Sequence, residues 1–324
     1  SDMAMFVDGA LNSVDSYLSG FTPDGYCSEG MGYWNYGYGH HMKMGMLLRW
    51  RSGGEIDIFT RPVQRKIADY ALNYELCPGV SPAFADGNGA PTAMNLNLVK
   101  ELWPGLGTEK KPTSVFPDGQ VWLFRAEKGI SVAFKGGHND EHHNHNDVGS
   151  YYVVKDGKFI SGDPGNEAYT ARTFSARRYE SPILNSYGHP VPGIAGGLQG
   201  TGSRYRAKVV AQDFGRDRCS VSIEMKDAYP VKSLKSLVRT FIWERSGASF
   251  TVKDDFEFSE PTEFDVPYLV YDGIDCRPEV SVEPGGYTIR KEKISNPGKR
   301  FEPWRNAIVP SSPLTRAEVP VTFR

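Results

Sequence analysis

Five of the seven histidines fall between residues 138 and 189. The densest run reads Gly137-His138-Asn139-Asp140-Glu141-His142-His143-Asn144-His145-Asn146-Asp147. Imidazole nitrogens are common ligands of divalent metals, and an H-x-H pair on an extended segment turns two of them the same way. If the run enters a strand near Val148, His143, His145 and Asp147 share one face, with His142, Asn144 and Asn146 on the other. Such a pair does not close a metal site, so further ligands must come from distant segments. The strongest candidates are Asp163, in Ser161-Gly162-Asp163-Pro164-Gly165, and His189, in Ser186-Tyr187-Gly188-His189-Pro190. Imidazoles with one carboxylate suit zinc, with water or another group in the remaining place. Asp147 is either a further ligand or the group that orients His145. A solvated polar loop, or a histidine tract that takes up metal adventitiously, would give the same spacing. Spacing alone leaves these open.

Two kinds of element must position these residues. From residue 3 to about 103 the apolar period is helical. Met3, Phe6, Val7, Ala10, Leu11, Val14 and Leu18 lay a stripe along one helix, and a second runs from Met42 to Trp50 and stops at Gly53-Gly54. A third starts after Thr60 with Pro62 in its first turn and turns Val63, Ile67, Tyr70, Ala71 and Tyr74 inward. A fourth runs from about Thr92 to Trp103. The loops between are rich in Gly and aromatics and are candidate binding surfaces. Lys110 to Thr113 reads as a linker, after which the period becomes two. Strands are expected at 121–125, 130–134, 151–154 and 158–160, the last two joined by Asp156-Gly157, a two-residue hairpin signal. More follow at 206–213, 218–225, 236–244, 249–256, 263–270 and 286–291. This is an α+β multidomain pattern: 1–109 helical and 110–324 an antiparallel β-sandwich.

Composition bounds the function. Hydrophobic residues at 39% and charged residues at 23% are ordinary globular values, so nothing argues for disorder. A net charge of −2 supplies no global field for nucleic acid or an anionic membrane, so any acidic ligand must be held by a local basic cluster. Cys27, Cys77, Cys219 and Cys276 form no C-x-x-C pair, which excludes a cysteine zinc ribbon and favours free thiols. No apolar run is long enough to span a membrane, and no signal peptide is visible. The opening Ser-Asp-Met reads as an expression scar or a cut inside a longer gene.

The strings HHNHNDVGSYYV, SGDPG and TFSARRYESPILNSYGHPVP resemble the sheet domain of heparinase II/III-like polysaccharide lyases. Upstream, PDGYCSEGMGYWNYGYGHH resembles the end of that family's α/α-toroid domain, and the motifs run in the family's order between about residues 24 and 193. The resemblance implies the C-terminal part of a toroid followed by the sandwich. It places zinc on His145, Asp163 and His189, and a catalytic role on His143. The catalytic tyrosine falls in the aromatic stretch after Glu29-Gly30, on Tyr33 first and Tyr36 second. Glu29, Trp34, His142, Arg172, Arg177 and Arg178 are the residues it puts nearest the substrate. Core packing is the competing account of Tyr33, Trp34, Tyr36 and Tyr38, as solvated charge is for the arginines, while His40 and His41 read as surface or packing residues. The family carries a further catalytic His or Asn well upstream of the tyrosine, and this chain has no residue there. A fragment lacking most of the toroid is the expected explanation.

The activity implied is β-elimination beside a uronic acid in an acidic polysaccharide, a glycosaminoglycan or an alginate-like chain. A base removes the C5 proton and an acid protonates the departing C4 oxygen. Tyr33 is the acid and a candidate base, His143 the base or the carboxylate's partner, and zinc is mainly structural. The resemblance implies a bacterial periplasmic or secreted location. A non-catalytic carbohydrate-binding or scaffold protein with a structural zinc is the alternative. A zinc hydrolase or cupin-like oxygenase is disfavoured by the absence of an H-E-x-x-H context.

Overall fold

A computed structural model describes residues 2–87, 95–107, 111–297, 299 and 302–324. The expected start of the fourth helix and the boundary at 109/110 lie outside the described residues. The helices are α1 (Asp2–Leu18), α2 (Met31–Tyr33), α3 (Gly39–Arg51), α4 (Pro62–Asn73) and α5 (Leu96–Leu102). A π-helical turn, Trp34–Tyr38, joins α2 to α3. In α4 the proline sits in the first turn, where its missing N–H costs nothing, and Ile67, Tyr70 and Ala71 are buried as their spacing requires. The stripe on α1 is only partly used: Val14 and Leu18 are buried, but Phe6 is 71% exposed. No helix among the described residues is long and apolar enough to cross a membrane.

The rest is antiparallel sheet. The strands run β1 (Thr113–Phe116), β2 (Val121–Phe124), β3 (Ile130–Lys135), β4 (His138–Asn139), β5 (Tyr151–Lys155), β6 (Lys158–Gly162), β7 (Gly193–Ile194) and β8 (Gly202–Arg206). Then follow β9 (Lys208–Phe214), β10 (Arg218–Glu224), β11 (Leu234–Glu244), β12 (Phe250–Thr262) and β13 (Phe264–Tyr271). The last are β14 (Glu279–Val280), β15 (Tyr287–Lys293), β16 (Pro303–Pro310) and β17 (Leu314–Phe323). They form sheets ordered β1-β2-β3-β5-β6, β14-β17-β12-β11-β10-β9 and β15-β16-β13-β7, with β4 and β8 paired separately. Asp156 and Gly157, at φ 47° and 79°, make the turn between β5 and β6, as their types allow. The strands β16 and β17 were not expected. Pro303, Pro310 and Pro320 lie in them, and proline argues against a strand until its position in the sheet is known.

Every side chain of β2 and β3 is buried, because both faces of the first sheet are covered. One face packs on the second sheet, where the Phe134 and Phe241 rings stack at 4.1 Å between centroids. The other face, through Val121, Leu123, Ala133, Tyr152 and Val154, packs on the helices, so helices and first sheet share a core. Cys27, Cys219 and Cys276 are free thiols, Cys27 and Cys219 buried.

The histidine run is not a strand, which corrects the face assignment made from alternation. Only His138 and Asn139 pair, with β8, and 140–150 is a series of turns and bends in which His143 takes φ 54°. Asp147 is held by Lys135. Its Oδ1 accepts from the buried Lys135 Nζ at 2.8 Å, and Glu141 lies 3.7 Å from the same ammonium. Lys135 thus ties down both ends of the loop that carries His143 and His145.

Candidate active site

His145, Asp163 and His189 come from three separate segments and each is buried. One ligand atom from each lies within 4.8 Å of the others, a spacing that a single ion can bridge. The hydrogen bonds on the far sides of the rings fix which nitrogen is available. His189 Nε2 lies 2.9 Å from the Ile183 carbonyl, which only accepts, so the neutral ring turns the Nδ1 lone pair toward Asp163 Oδ2 at 3.0 Å. Those two atoms need a proton or a cation between them. His145 Nε2 faces Asp86 Oδ1 at 3.1 Å, while its Nδ1 is buried with no partner. Burial pushes His189 and Asp163 toward their neutral forms, yet their mutual attraction outweighs it, raising the imidazole and lowering the carboxyl. Asp163 is also anchored, accepting from Ser150 Oγ at 2.6 Å and from the Gly165 N–H at 2.9 Å. Imidazoles held by acceptors on their outer nitrogens, with bare inner nitrogens beside a carboxylate, are a donor set that could hold a metal ion.

Asp86 joins this trio to a second group. Its buried carboxylate accepts from His143 Nδ1 at 2.6 Å and from Tyr169 Oη at 2.6 Å, besides His145. Burial pushes the Asp86 carboxyl up, but the hydrogen bonds from His143, His145 and Tyr169 overcome it and hold it well below the usual carboxylate range. Because the ionised carboxylate can only accept, the neutral His143 ring carries its proton on Nδ1 and leaves Nε2 bare. Glu29 Oε2 is 3.5 Å from that Nε2. Tyr33 lies over His143 with ring centroids 4.1 Å apart, and its Oη is 2.7 Å from Tyr169 Oη. Tyr169 donates to Asp86, so Tyr33 donates to Tyr169. Burial and the neighbouring carboxylate push the Tyr169 phenol well above its ordinary range, which keeps it a fixed donor.

Tyr33, His143, Glu29 and Arg178 are therefore together. Arg178 Nη2 stands 3.8 Å from Asp86 Oδ2 while donating to the Asn144 carbonyl at 3.0 Å. Tyr36 is not in this group; it points outward, 72% exposed, with its ring against His40 at 4.8 Å. The π turn that starts at Trp34 separates the two tyrosines onto different sides of the helix. Trp34 is fully buried and donates to the Ile67 carbonyl at 2.8 Å, so it is a core residue with no face free for a sugar ring. His41 packs in the same core against Tyr17 and Tyr38. His142 is exposed on the loop beside His143. Arg172 is held by Glu167 at 2.8 Å, and the exposed Arg177 by Glu180 at 2.7 Å.

Asp86 and Tyr169 are the residues that sequence reasoning missed. Asp86 sits in Phe84-Ala85-Asp86-Gly87, in a glycine-rich loop noted only as a binding surface, and Ala85 there adopts φ 53°. Replacing Asp86 with Asn should weaken metal binding about 10–100-fold, because the outer hydrogen bond of His145 loses its charge. Competition against a chromogenic chelator measures this, and an unchanged affinity would remove Asp86 from the centre.

No protein-family model and no curated protein matches the sequence. Solved structures do. The heparinase III BT4657 gene product aligns with TM-score 0.76 at 14% identity, over 96% of this chain and 54% of its own. A further heparinase III gives 0.73 at 12% identity, over 96% of this chain and 55% of its own. The heparan sulfate lyase HepC from Pedobacter heparinus gives 0.71 at 11% identity, over 100% and 56% respectively. The chain spans about half the length of the structures it matches. Likeness at such low identity is a likeness of fold.

Proposed function

We propose, from the premise that this chain has a heparinase III-like fold, that it is the catalytic-core half of a polysaccharide lyase. It cleaves a uronic-acid-containing polysaccharide, a glycosaminoglycan or an alginate-like chain, by β-elimination. The observation that carries this reading is Asp86, which gathers His143 and the Tyr169–Tyr33 pair on one oxygen and His145 on the other. The helices up to residue 109 are proposed to be the closing part of an α/α toroid and 110–324 the sheet domain. An acidic polymer of this kind meets a bacterial enzyme outside the cytoplasm, in the periplasm or the medium.

In the proposed reaction the bare Nε2 of His143 takes the C5 proton. The C5–H electron pair moves first into the uronate carboxylate and then into a C4=C5 double bond as the C4–O4 bond breaks. Tyr33 Oη gives its proton to O4, so one chain end leaves as an alcohol and the other carries an unsaturated uronate. Glu29, beside Nε2, stabilises the imidazolium formed, and Asp86 fixes the ring's orientation throughout. Arg178, 3.8 Å from Asp86, is the candidate to face the substrate carboxylate. His145, Asp163 and His189 would hold zinc, which supplies a fixed charge that pins their three segments together.

Incubation with heparan sulfate, chondroitin, hyaluronan and alginate, read by near-ultraviolet absorbance of unsaturated uronate, tests the reading. Absorbance growing on one substrate supports it. New reducing ends without absorbance mean hydrolysis and overturn it. Binding without either product favours the second reading, a carbohydrate-binding scaffold.

A further inference from the structure

Beside the histidine loop runs the β8 strand, whose exposed side chains no step above uses. Arg204, Arg206 and Lys208 are exposed, Tyr205 is half-buried beside Arg204, and Ala207 is buried. Among the described residues neither guanidinium has a carboxylate partner, unlike Arg172, Arg177 and Arg178. Both are nevertheless held in place. Arg204 lies over the Tyr205 ring, 4.7 Å from its centroid, and donates to Tyr205 Oη at 2.7 Å. That ring is seated against Gly200, where an added Cβ would come within 2.2 Å of it. Arg206 Nε donates to the Ser203 carbonyl at 2.7 Å, which leaves its terminal nitrogens outward. Burial, then the charges of Lys135 and Arg206, push the His138 imidazole down despite the opposing charge of Asp140.

The strand is fastened to both ends of the loop that carries His143 and His145. His138 pairs with Arg206, Asn139 Nδ2 donates to the Gly200 carbonyl at 2.9 Å, and Asn146 Nδ2 donates to Thr201 Oγ1 at 2.9 Å. Its position relative to the catalytic group is therefore fixed. We propose that Arg204 and Arg206 form a distal subsite that grips successive sulfate or carboxylate groups of the acidic polysaccharide beyond the cleavage point. The identity of the ligand rests on the function proposed above; the site itself rests on two preoriented guanidinium groups with no carboxylate partner among the described residues. A planar fork matches an oxyanion bidentately, which favours arginine over a diffuse patch of lysines.

The test compares the chain with an Arg204→Gln/Arg206→Gln variant, by calorimetric titration with heparan sulfate oligosaccharides of two lengths at low salt. The variant is expected to lose about tenfold or more in affinity for the longer oligosaccharide, as the loss of charge-assisted hydrogen bonds implies. Its affinity for the shorter one and its melting temperature stay the same. Undiminished affinity for the longer oligosaccharide overturns the subsite. An equal, arginine-dependent loss with duplex DNA overturns the assignment to a saccharide. Arginine-dependent oligosaccharide binding in a chain that forms no unsaturated product would sustain the subsite while removing the lyase reading.

Discussion

Tyr33→Phe is expected to lower kcat by about 10²–10⁴-fold on the polysaccharide that yields unsaturated product, with KM and folding unchanged. The variant keeps the ring that lies 4.1 Å from His143 and removes only the oxygen. The lost hydrogen bond is the one to Tyr169, a residue 41% exposed, so water can replace it and stability should hold. What cannot be replaced is a proton donor in this position. In the ordered donation Tyr33 to Tyr169 to Asp86 the single Tyr33 proton rests on Tyr169, and it reaches the departing oxygen by rotation of the phenol O–H away from Tyr169. Steady-state kinetics on both Tyr33→Phe and Tyr36→Phe decide between the two tyrosines. Loss of activity in Tyr36→Phe alone would overturn the geometric choice.

Arg239→Met is expected to destabilise the fold by about 3–5 kcal/mol, the usual cost of stranding one member of a buried ion pair. Arg239 is wholly buried and meets Asp254 through two hydrogen bonds, at 2.7 and 2.6 Å. Its remaining nitrogen donates to the Gly149 carbonyl at 2.8 Å and the Pro190 carbonyl at 2.7 Å. One side chain thus links the second sheet to the segment after His145 and to the residue after His189. The single variant leaves a carboxylate in an apolar core. Adding Asp254→Leu should recover much of the loss, because exchanging the whole pair for apolar groups is often neutral. Thermal unfolding of both variants tests this. A single variant within about 1 kcal/mol of the parent, the range of a surface pair, would mean that the site is solvated.

Local sequence signals carried the hairpin at Asp156-Gly157, α4 with its proline start, and most of the long strands, because each follows from periodicity or turn chemistry within a few residues. They failed where the outcome depends on what lies across the chain. β16 and β17 carry prolines, and their pairing with β13 and β12 decides where those prolines are tolerated. Alternation through His143, His145 and Asp147 suggested a strand, yet the buried ammonium of Lys135 draws Asp147 and Glu141 to itself and folds the segment into turns.

The sequence by itself determined the chemical inventory: imidazoles concentrated in one run, an aspartate and a histidine in recognisable turns further on, and a tyrosine-rich stretch upstream. Only the tertiary structure decided which of them meet. It brought His145, Asp163 and His189 within reach of one ion, set Tyr33 over His143, left Tyr36 facing outward and buried Trp34 in the core. It also supplied Asp86, to which His143 and His145 both donate although it lies 57 and 59 residues away from them along the chain. Side-chain type is a local property, whereas convergence on a buried carboxylate is fixed by long-range packing, and no spacing along the chain encodes it.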